Sequence, residues 1–539
     1  PIYVEIEGLS SAKIHKLILK TMSDLESSQF ENDIFSSEFQ KKYDLVTQKK
    51  AIFGIHQPNP DYAKDYFEFR TPEQKRIIFE EFFKMELVLA SRRSEVQILK
   101  GNALSGTGVH IQTLIQSLPF QLTEAQNKVF TEIKKDLSSF RPMQRLVQGD
   151  VGSGKTIVSF LSVIHCYEAG FQSALMVPTE ILAEQHFQNA QRYLAPLGLR
   201  ISFLSGKSKD SERQILFEKL KKGEVDFLIG THALIEDEVQ FLKLALVIID
   251  EQHRFGVDQR SKLRAKGMNP HMLIMTATPI PRTLAMTVYG DLDVSIIDQL
   301  PEGRTPIQTR VVNDTKRMAA FDFMNEHIRL GRQAYVVYPL VEESEKIDLK
   351  NAVEEFENLK KRYPEVSMGL LHGKMKSQEK ELVMKDFRDG KYKVLVSTTV
   401  IEVGVDVPNA NIMIIEHAER FGLSQLHQLR GRVGRGVHKS FCILMMSYAV
   451  SEEGRQRLEF MEKSQDGFKI SEFDLEMRGP GEFMGTRQSG LPGFKMAHLV
   501  RDLSILKTAR EAAFELVALD PKLEKKENEF LRQLKELKL

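Results

Sequence analysis

Followed by its apolar positions, the chain changes character twice. Over residues 1–50 short apolar stretches stand among serines and lysines, too sparse to bury much alone. A long helix is predicted from "TPEQ" onward. Thr71 stands at the cap, Pro72 at the first helical position, and Gln74 where a capping box needs a side-chain acceptor. Ile78, Phe82, Met85 and Leu89 then recur at i, i+4, i+7 and i+11, placing one apolar stripe on a core-facing helix. From about residue 120, short β-branched or apolar runs alternate with helical stretches: "ALMVP", "VDFLIG", "LALVIID" and "MLIMTAT". Such runs predict parallel strands covered by helices on both faces. After the linker "PEGRTP" (301–306) the alternation begins again with "IQTRVV", "AYVVYP", "SMGLLH", "KVLVST" and "IMIIE". Beyond about 455 the chain is charged and helical, interrupted by the glycine-rich "RGPGEFMGTRQSG".

The expected fold class is therefore α/β, with two tandem parallel-sheet units of roughly 150 residues each, an N-terminal helical linker and a C-terminal helical region. A length of 539 residues agrees with more than one domain. The net charge of +1 argues against a tail-like or histone-like polyanion binder and leaves local basic surfaces open. Cys166 and Cys442 match no metal or redox spacing, and no uncharged apolar run reaches the ~18 residues of a membrane span. The numbering starts at Pro1 with no signal-peptide pattern. The expectation is a soluble, intracellular chain that lacks an N-terminal segment.

"GDVGSGKT", comprising Gly149, Asp150, Val151, Gly152, Ser153, Gly154, Lys155 and Thr156, fits a phosphate loop in full, between a strand ("QRLVQ") and a helix. Glycines let backbone N–H groups turn inward around phosphate oxygens, and the helix N-terminus adds partial positive charge. Lys155 is expected at the β- and γ-phosphates and Thr156 at Mg²⁺. "LALVIIDEQHRFG" delivers Asp250 and Glu251 at the carboxyl end of a buried strand, where open α/β sheets bind ligands. Asp250 is expected to hold Mg²⁺ and Glu251 to polarise the attacking water, although nearby Arg254 can pair with either acid. Gln126 of "PFQLTEAQ" offers an amide that donates to and accepts from an adenine edge at once.

"HQLRGRVGRG" (427–436) holds Arg430, Arg432 and Arg435 with no carboxylate among them. An arginine brought from the second α/β unit to the γ-phosphate would stabilise transition-state charge, which requires two domains to close on one nucleotide. Direct contact with nucleic-acid phosphates is the competing reading, strongest for Arg430.

Together "GDVGSGKT", "MVPTEILAEQH", "GTHAL", "DEQHRFGVDQR", "TATPIPRTL", "STTVIEVGVDVPNA" and "QLHQLRGRVGR" resemble the ordered motifs of superfamily 2 DNA helicases. "DEQHRFGVDQR" and "RGPGEFMGTRQSG" are similar to those of the RecG family. The resemblance implies two RecA-like lobes and an ATP- and Mg²⁺-dependent motor acting on branched or forked duplex DNA, monomeric and cytoplasmic in a bacterium, near the nucleoid. It implies this division: 1–50 a remnant of a wedge domain, 51–118 a helical linker, 119–302 and 303–455 the two lobes, and 456–539 a C-terminal motif and helical region. It assigns Arg432 and Arg435 to the transition state, Thr276 and Thr278 to coupling nucleotide and DNA, and Gly404 and Asp406 to the interlobe face of the nucleotide site. Arg478, Arg487 and Gln488 become polar contacts of a motif shared with the transcription-repair coupling translocase.

The DNA track is written less sharply. Thr179 of "PTE" and Thr231 of "GTHAL", with Thr398 and Thr399 as counterparts in the second lobe, are candidate backbone-phosphate seats at helix starts. Helix capping by threonine remains the alternative for each. "RSKLRAKG" (260–267) is either a solvated face or a DNA contact. A coupling-type translocase, a superfamily 2 RNA helicase and a nucleotide-binding scaffold without turnover are the competing functions.

Overall fold

The computed structural model describes the chain apart from residues 1–2, 4, 6–8, 25–32, 207–208, 252–254, 256, 280, 282–284, 286–289, 302–305, 340–344, 399–406, 437, 449, 479–493, 500, 526–527, 529–530 and 533–539. At 97, 257, 345–351, 377 and 478 only the backbone is described. The chain divides into two compact units. One comprises Pro1–Ile98, Arg282–Asp291 and Arg478–Leu539, and the other Leu99–Pro281 and Leu292–Met477.

The larger unit holds both sheets, and every described strand pairing in them is parallel, as the near-continuous apolar runs require. The first sheet is built from β1 (Gln144–Gly149), β2 (Gln172–Met176), β3 (Ile201–Leu204), β4 (Phe227–Gly230), β5 (Leu244–Ile249), β6 (His271–Thr276) and β7 (Asp293–Ile297), in the order β3-β4-β2-β5-β6-β1-β7. The second contains β8 (Gln308–Asn313), β9 (Gln333–Val337), β10 (Met368–Leu371), β11 (Val394–Ser397), β12 (Ala410–Ile415) and β13 (Phe441–Met446), in the order β10-β11-β9-β12-β13-β8. The α/β expectation holds. Alternation along each strand supplies two cores per sheet. On β5, Leu246 and Ile248 join the cluster built on helix Lys155–Glu168, while Val247 and Ile249 join the one on the opposite face. Each fully buried Leu, Ile or Val contributes roughly 1.5–3 kcal/mol.

In the smaller unit, helix Pro72–Ile98 starts as expected. Gln74 N donates to Thr71 Oγ1 at 3.3 Å, and Thr71 N donates back to Gln74 Oε1 at 3.4 Å. Its buried surface is wider than one stripe. Phe79, Phe83, Leu87 and Val88 are buried as well as Ile78, Phe82, Met85 and Leu89, because neighbours cover more than one side. Phe35 and Phe39 pack edge-on against Phe79 and Phe83. The fully buried Arg76 pairs with Asp33 at 2.6 Å and Glu80 at 2.5 Å. The C-terminal helix Leu503–Leu519 lies along the same helix, with Arg510 bonded to Glu86. Among the described residues no helix is long and apolar enough to cross a membrane.

Candidate active site

Sheet order explains why distant motifs converge. β5, β6 and β1 are neighbours and run in one direction, so their carboxyl ends line up. Those ends deliver Asp250 and Glu251, Thr276 and Thr278, and the loop after Gly149. Parallel sheets collect ligand-binding groups at this edge.

The loop of residues 149–154 leads from β1 into helix Lys155–Glu168. Gly152 and Gly154 have φ of +78° and +85°, a backbone region that L side chains rarely enter. A Cβ on Gly154 would also strike the Gln126 amide. Gln126 is buried; its Nε2 donates to Ser153 O at 2.8 Å and its Oε1 accepts from Thr123 N at 2.9 Å. It thus caps helix Glu124–Leu137 and fastens the loop from behind. An adenine contact would use the remaining N–H and lone pair of that amide.

Lys155 Nζ donates to Gly149 O at 2.7 Å and to Asp150 O at 3.0 Å. Burial presses its pKa down, opposed by the charges of Asp250, Glu251 and Asp150, while Arg435 pushes in the same direction as burial. Lysine, both acids of the second motif and an arginine of the second sheet therefore share one electrostatic site. Asp250 Oδ1 accepts from Glu251 N at 3.0 Å, and Oδ2 lies 3.2 Å from His186 Nε2. Burial works to raise the Asp250 pKa, yet His186 and Lys155 hold it below the usual carboxylate range. Glu251 has φ of +55°, a strained position for a non-glycine residue that aims its side chain differently from a regular strand end. Thr276 and Thr278 share a hydroxyl–hydroxyl bond of 2.7 Å, and Thr278 N donates to Thr276 Oγ1.

From the second sheet comes helix Leu423–Arg430 and the turn after it. His427 Nε2 lies 2.6 Å from Asp150 Oδ1. Gly431 packs on Val151 so closely that a Cβ would come within 2.9 Å of the valine's own Cβ. Burial raises the Asp150 pKa, but His427 outweighs it, with help from Val151 N and Lys155, and keeps the carboxyl low. Arg435 Nε donates to Gly431 O at 3.2 Å. Arg432 is buried, and it and Arg435 both act on Tyr335, whose phenol burial pushes up to about 12. Arg430 is buried and donates to Met461 O, Ser464 O and His427 Nδ1 at 3.0, 2.8 and 2.9 Å. That corrects the nucleic-acid reading of Arg430, because the guanidinium is spent on protein acceptors away from solvent.

The candidate DNA residues scatter. Thr179 Oγ1 accepts from Leu182 N at 3.4 Å, capping helix Glu180–Tyr193. Thr231 precedes the short turn His232–Ile235 and Thr398 follows β11; both are buried, with hydroxyls that have no protein partner among the described residues. Thr399, Gly404, Asp406, Arg487, Gln488 and Arg254 lie outside the described residues; Arg478 ends helix Gly467–Arg478 and its side chain is likewise outside them.

Reading the residues alone missed three side chains. His186 ends the quoted "MVPTEILAEQH", and His427 stands three residues before Arg430, the spacing at which helix side chains meet. Gln148, on β1 in register with Thr276, is fully buried, and neither end of its amide has a partner among the described residues. Among the described residues no group of three His, Cys, Asp or Glu side chains forms a metal cage. Mg²⁺ commonly takes one or two carboxylates together with phosphates and waters, so an ionised Asp250 beside the phosphate loop suits it without a cage.

Residues 123–287 match the DEAD/DEAH box helicase family and residues 316–437 the helicase conserved C-terminal domain. Fold and site thus define a two-lobed helicase core. Residues 464–539 match the C-terminal part of domain 3 of the ATP-dependent DNA helicase RecG. The chain is 48% identical to the RecG helicase of Haemophilus influenzae over 97% of its own length and 76% of that protein. It is 48% identical to that of Synechocystis sp. over 97% of this chain and 62% of that one. A structure of RecG bound to a three-way DNA junction is similar with a TM-score of 0.77 and 41% identity, covering 94% of this chain and 66% of that chain. The chain belongs to the RecG family. It spans about two thirds of the length of the first relatives it matches, 62% and 65%.

Proposed function

We propose that this chain is an ATP-driven duplex-DNA translocase and helicase that remodels branched DNA and stalled replication forks in recombination and repair. The observation that carries the reading is the meeting of the two sheets at one phosphate loop, with Arg435 acting on Lys155 and His427 bonded to Asp150. In this reading Lys155 and the N–H groups of Gly149 to Thr156 bind the ATP phosphates, and Gln126 faces adenine. Asp250 and Thr156 would hold Mg²⁺, which when bound would supply neutralisation of phosphate charge. Glu251 orients and deprotonates the attacking water. Arg432 and Arg435 stabilise charge on the γ-phosphate, so turnover depends on how the two sheets face each other. Gly404 and Asp406 complete that face, and Thr276 and Thr278 relay it toward DNA.

Thr179, Thr231, Thr398 and Thr399 are read as backbone-phosphate seats, with Arg478, Arg487 and Gln488 as the C-terminal contacts. The RecG relative bound to a three-way junction supports branched DNA as the substrate. We further infer a monomer acting on the chromosome in a bacterial cytoplasm, with the domains divided at about 50, 118, 302 and 455. The test is ATPase stimulation on forked DNA, linear duplex, single strands and RNA. Forked DNA is expected to stimulate most; stimulation by RNA above that by any DNA would overturn the substrate.

A further inference from the structure

We propose that His427 is a positioning residue for ATP turnover, the centre of an Arg430–His427–Asp150 chain that ties the phosphate loop to the link between helices Glu452–Lys463 and Gly467–Arg478. The inference rests on the reading of the loop as an ATP site.

The chemistry of the three side chains sets the direction of every bond. A guanidinium only donates, so the His427 Nδ1 atom that meets Arg430 Nη2 at 2.9 Å must carry a lone pair. The ring proton then sits on Nε2 and points at Asp150 Oδ1, 2.6 Å away. The far end of the chain is equally defined. Arg430 Nη1 donates to Met461 O and Ser464 O, carbonyls at a helix end where no N–H of the next turn is available. His427 and Arg430 are almost entirely out of solvent, 4% and 2% exposed, so water does not replace a bond that is lost.

Two further contacts make the chain consequential for the loop. The same Asp150 that His427 holds offers its backbone carbonyl to Lys155 Nζ and its Oδ1 to Val151 N at 2.6 Å. Displacing Asp150 therefore displaces the anchor of the phosphate-binding lysine. Gly467, the first residue of the next helix, closes over the contact. A Cβ there would come within 2.5 Å of His427 Nε2, 2.6 Å of Pro279 Cγ and 3.1 Å of Asp150 Oδ2. The link between the two helices, the arginine motif and the phosphate loop are thus packed into one group. His427 acts through Asp150 rather than on the nucleotide, so its loss affects turnover more than binding.

The experiment compares His427→Leu, His427→Gln, Asp150→Ala and the Leu/Ala double variant in the full chain, reading DNA-stimulated kcat and, separately, affinity for a fluorescent ATP analogue. Glutamine carries both an amide donor for Asp150 and an oxygen acceptor for Arg430. The expected result is a fall in kcat of about tenfold or more for His427→Leu, with affinity within about threefold, the scale of one buried charge-assisted hydrogen bond. His427→Gln should recover kcat to within about threefold, and the double variant should be no slower than the slower single one. Wild-type kcat in His427→Leu, failure of glutamine to recover it, or multiplication of the single effects overturns the proposal. Should His427→Leu not fold, Asp150→Ala, which removes the acceptor, decides alone: a slowed kcat with affinity kept supports the chain and an unchanged kcat sinks it. Lys155→Ala is run beside them. Hydrolysis persisting there removes the ATP-site reading itself, whatever the His427 variants do.

Discussion

Glu86 gives the sharpest test of the packing argument, because the structure leaves its charge half answered. It sits inside helix Pro72–Ile98 with no exposure; Arg510 Nη1 donates to its Oε2 at 3.1 Å, and its Oε1 has no partner among the described residues. Gly290 adds no atom beyond its backbone there, and a Cβ would lie 2.6 Å from Arg510 Nη1. Burial pushes the carboxyl from 4.5 up to about 8, and Arg510 offsets only part of that. A carboxyl that holds its proton more tightly folded than unfolded contributes stability that is complete below pH 4.5 and lost as pH rises through about 8. At ~1.36 kcal/mol per pH unit the full loss is at most about 5 kcal/mol. The partial exposure of Arg510 lowers the expectation to ~2–5 kcal/mol. Glu86→Gln keeps the shape and cannot ionise. Hydrogen exchange read on peptides from helices Pro72–Ile98 and Leu503–Leu519, in the full chain, isolates this unit from the sheets. Wild type and variant should match within ~1 kcal/mol of opening energy at pH 4.5, and the variant should be more protected by ~2–5 kcal/mol at pH 9. Identical pH dependence of the two proteins would refute the reasoning.

The remaining predictions concern the larger unit. Lys155→Ala or Glu251→Gln should abolish DNA-stimulated ATP hydrolysis, and wild-type rates in either would remove the corresponding assignment. Arg435→Ala should keep nucleotide affinity within a few-fold while slowing turnover by ~10³ or more; single-turnover hydrolysis at an unchanged rate refutes the transition-state role. Gln148→Leu removes two buried polar ends without a partner among the described residues and should stabilise the unit by ~1–3 kcal/mol in urea denaturation followed by circular dichroism. Destabilisation by that substitution would mean the amide has a partner that this arrangement of side chains conceals.

Much of the nucleotide site was legible in the chain because its parts are local. A phosphate loop is eight consecutive residues between a strand and a helix. The central strands announce themselves as unbroken apolar runs, since burial on both faces demands it. β3 and β7 escaped because each is only partly buried and carries no long apolar run, whereas inner β13 escaped although its "FCILMM" is one. "TPEQ" was readable as a helix start because a capping box uses side chains within one turn.

Other properties belong to the tertiary structure alone. Strand order sets the carboxyl ends of β5, β6 and β1 side by side, and no spacing in the sequence carries that order. Only packing turned Arg430 from a candidate anion contact into a brace for His427, because the acceptors it meets, Met461 O and Ser464 O, are backbone atoms present at every position of the sequence. Gln126 looks wholly free to read a base until the fold presents Ser153 O to one of its two N–H groups, leaving the other for adenine. Local order along the chain dictates which helices, strands and turns form and which charged groups are on hand. Packing settles which of them face each other, because hydrogen-bond partners and burial come from other elements, 27 residues away for Gln126 and Ser153 and 277 for His427 and Asp150.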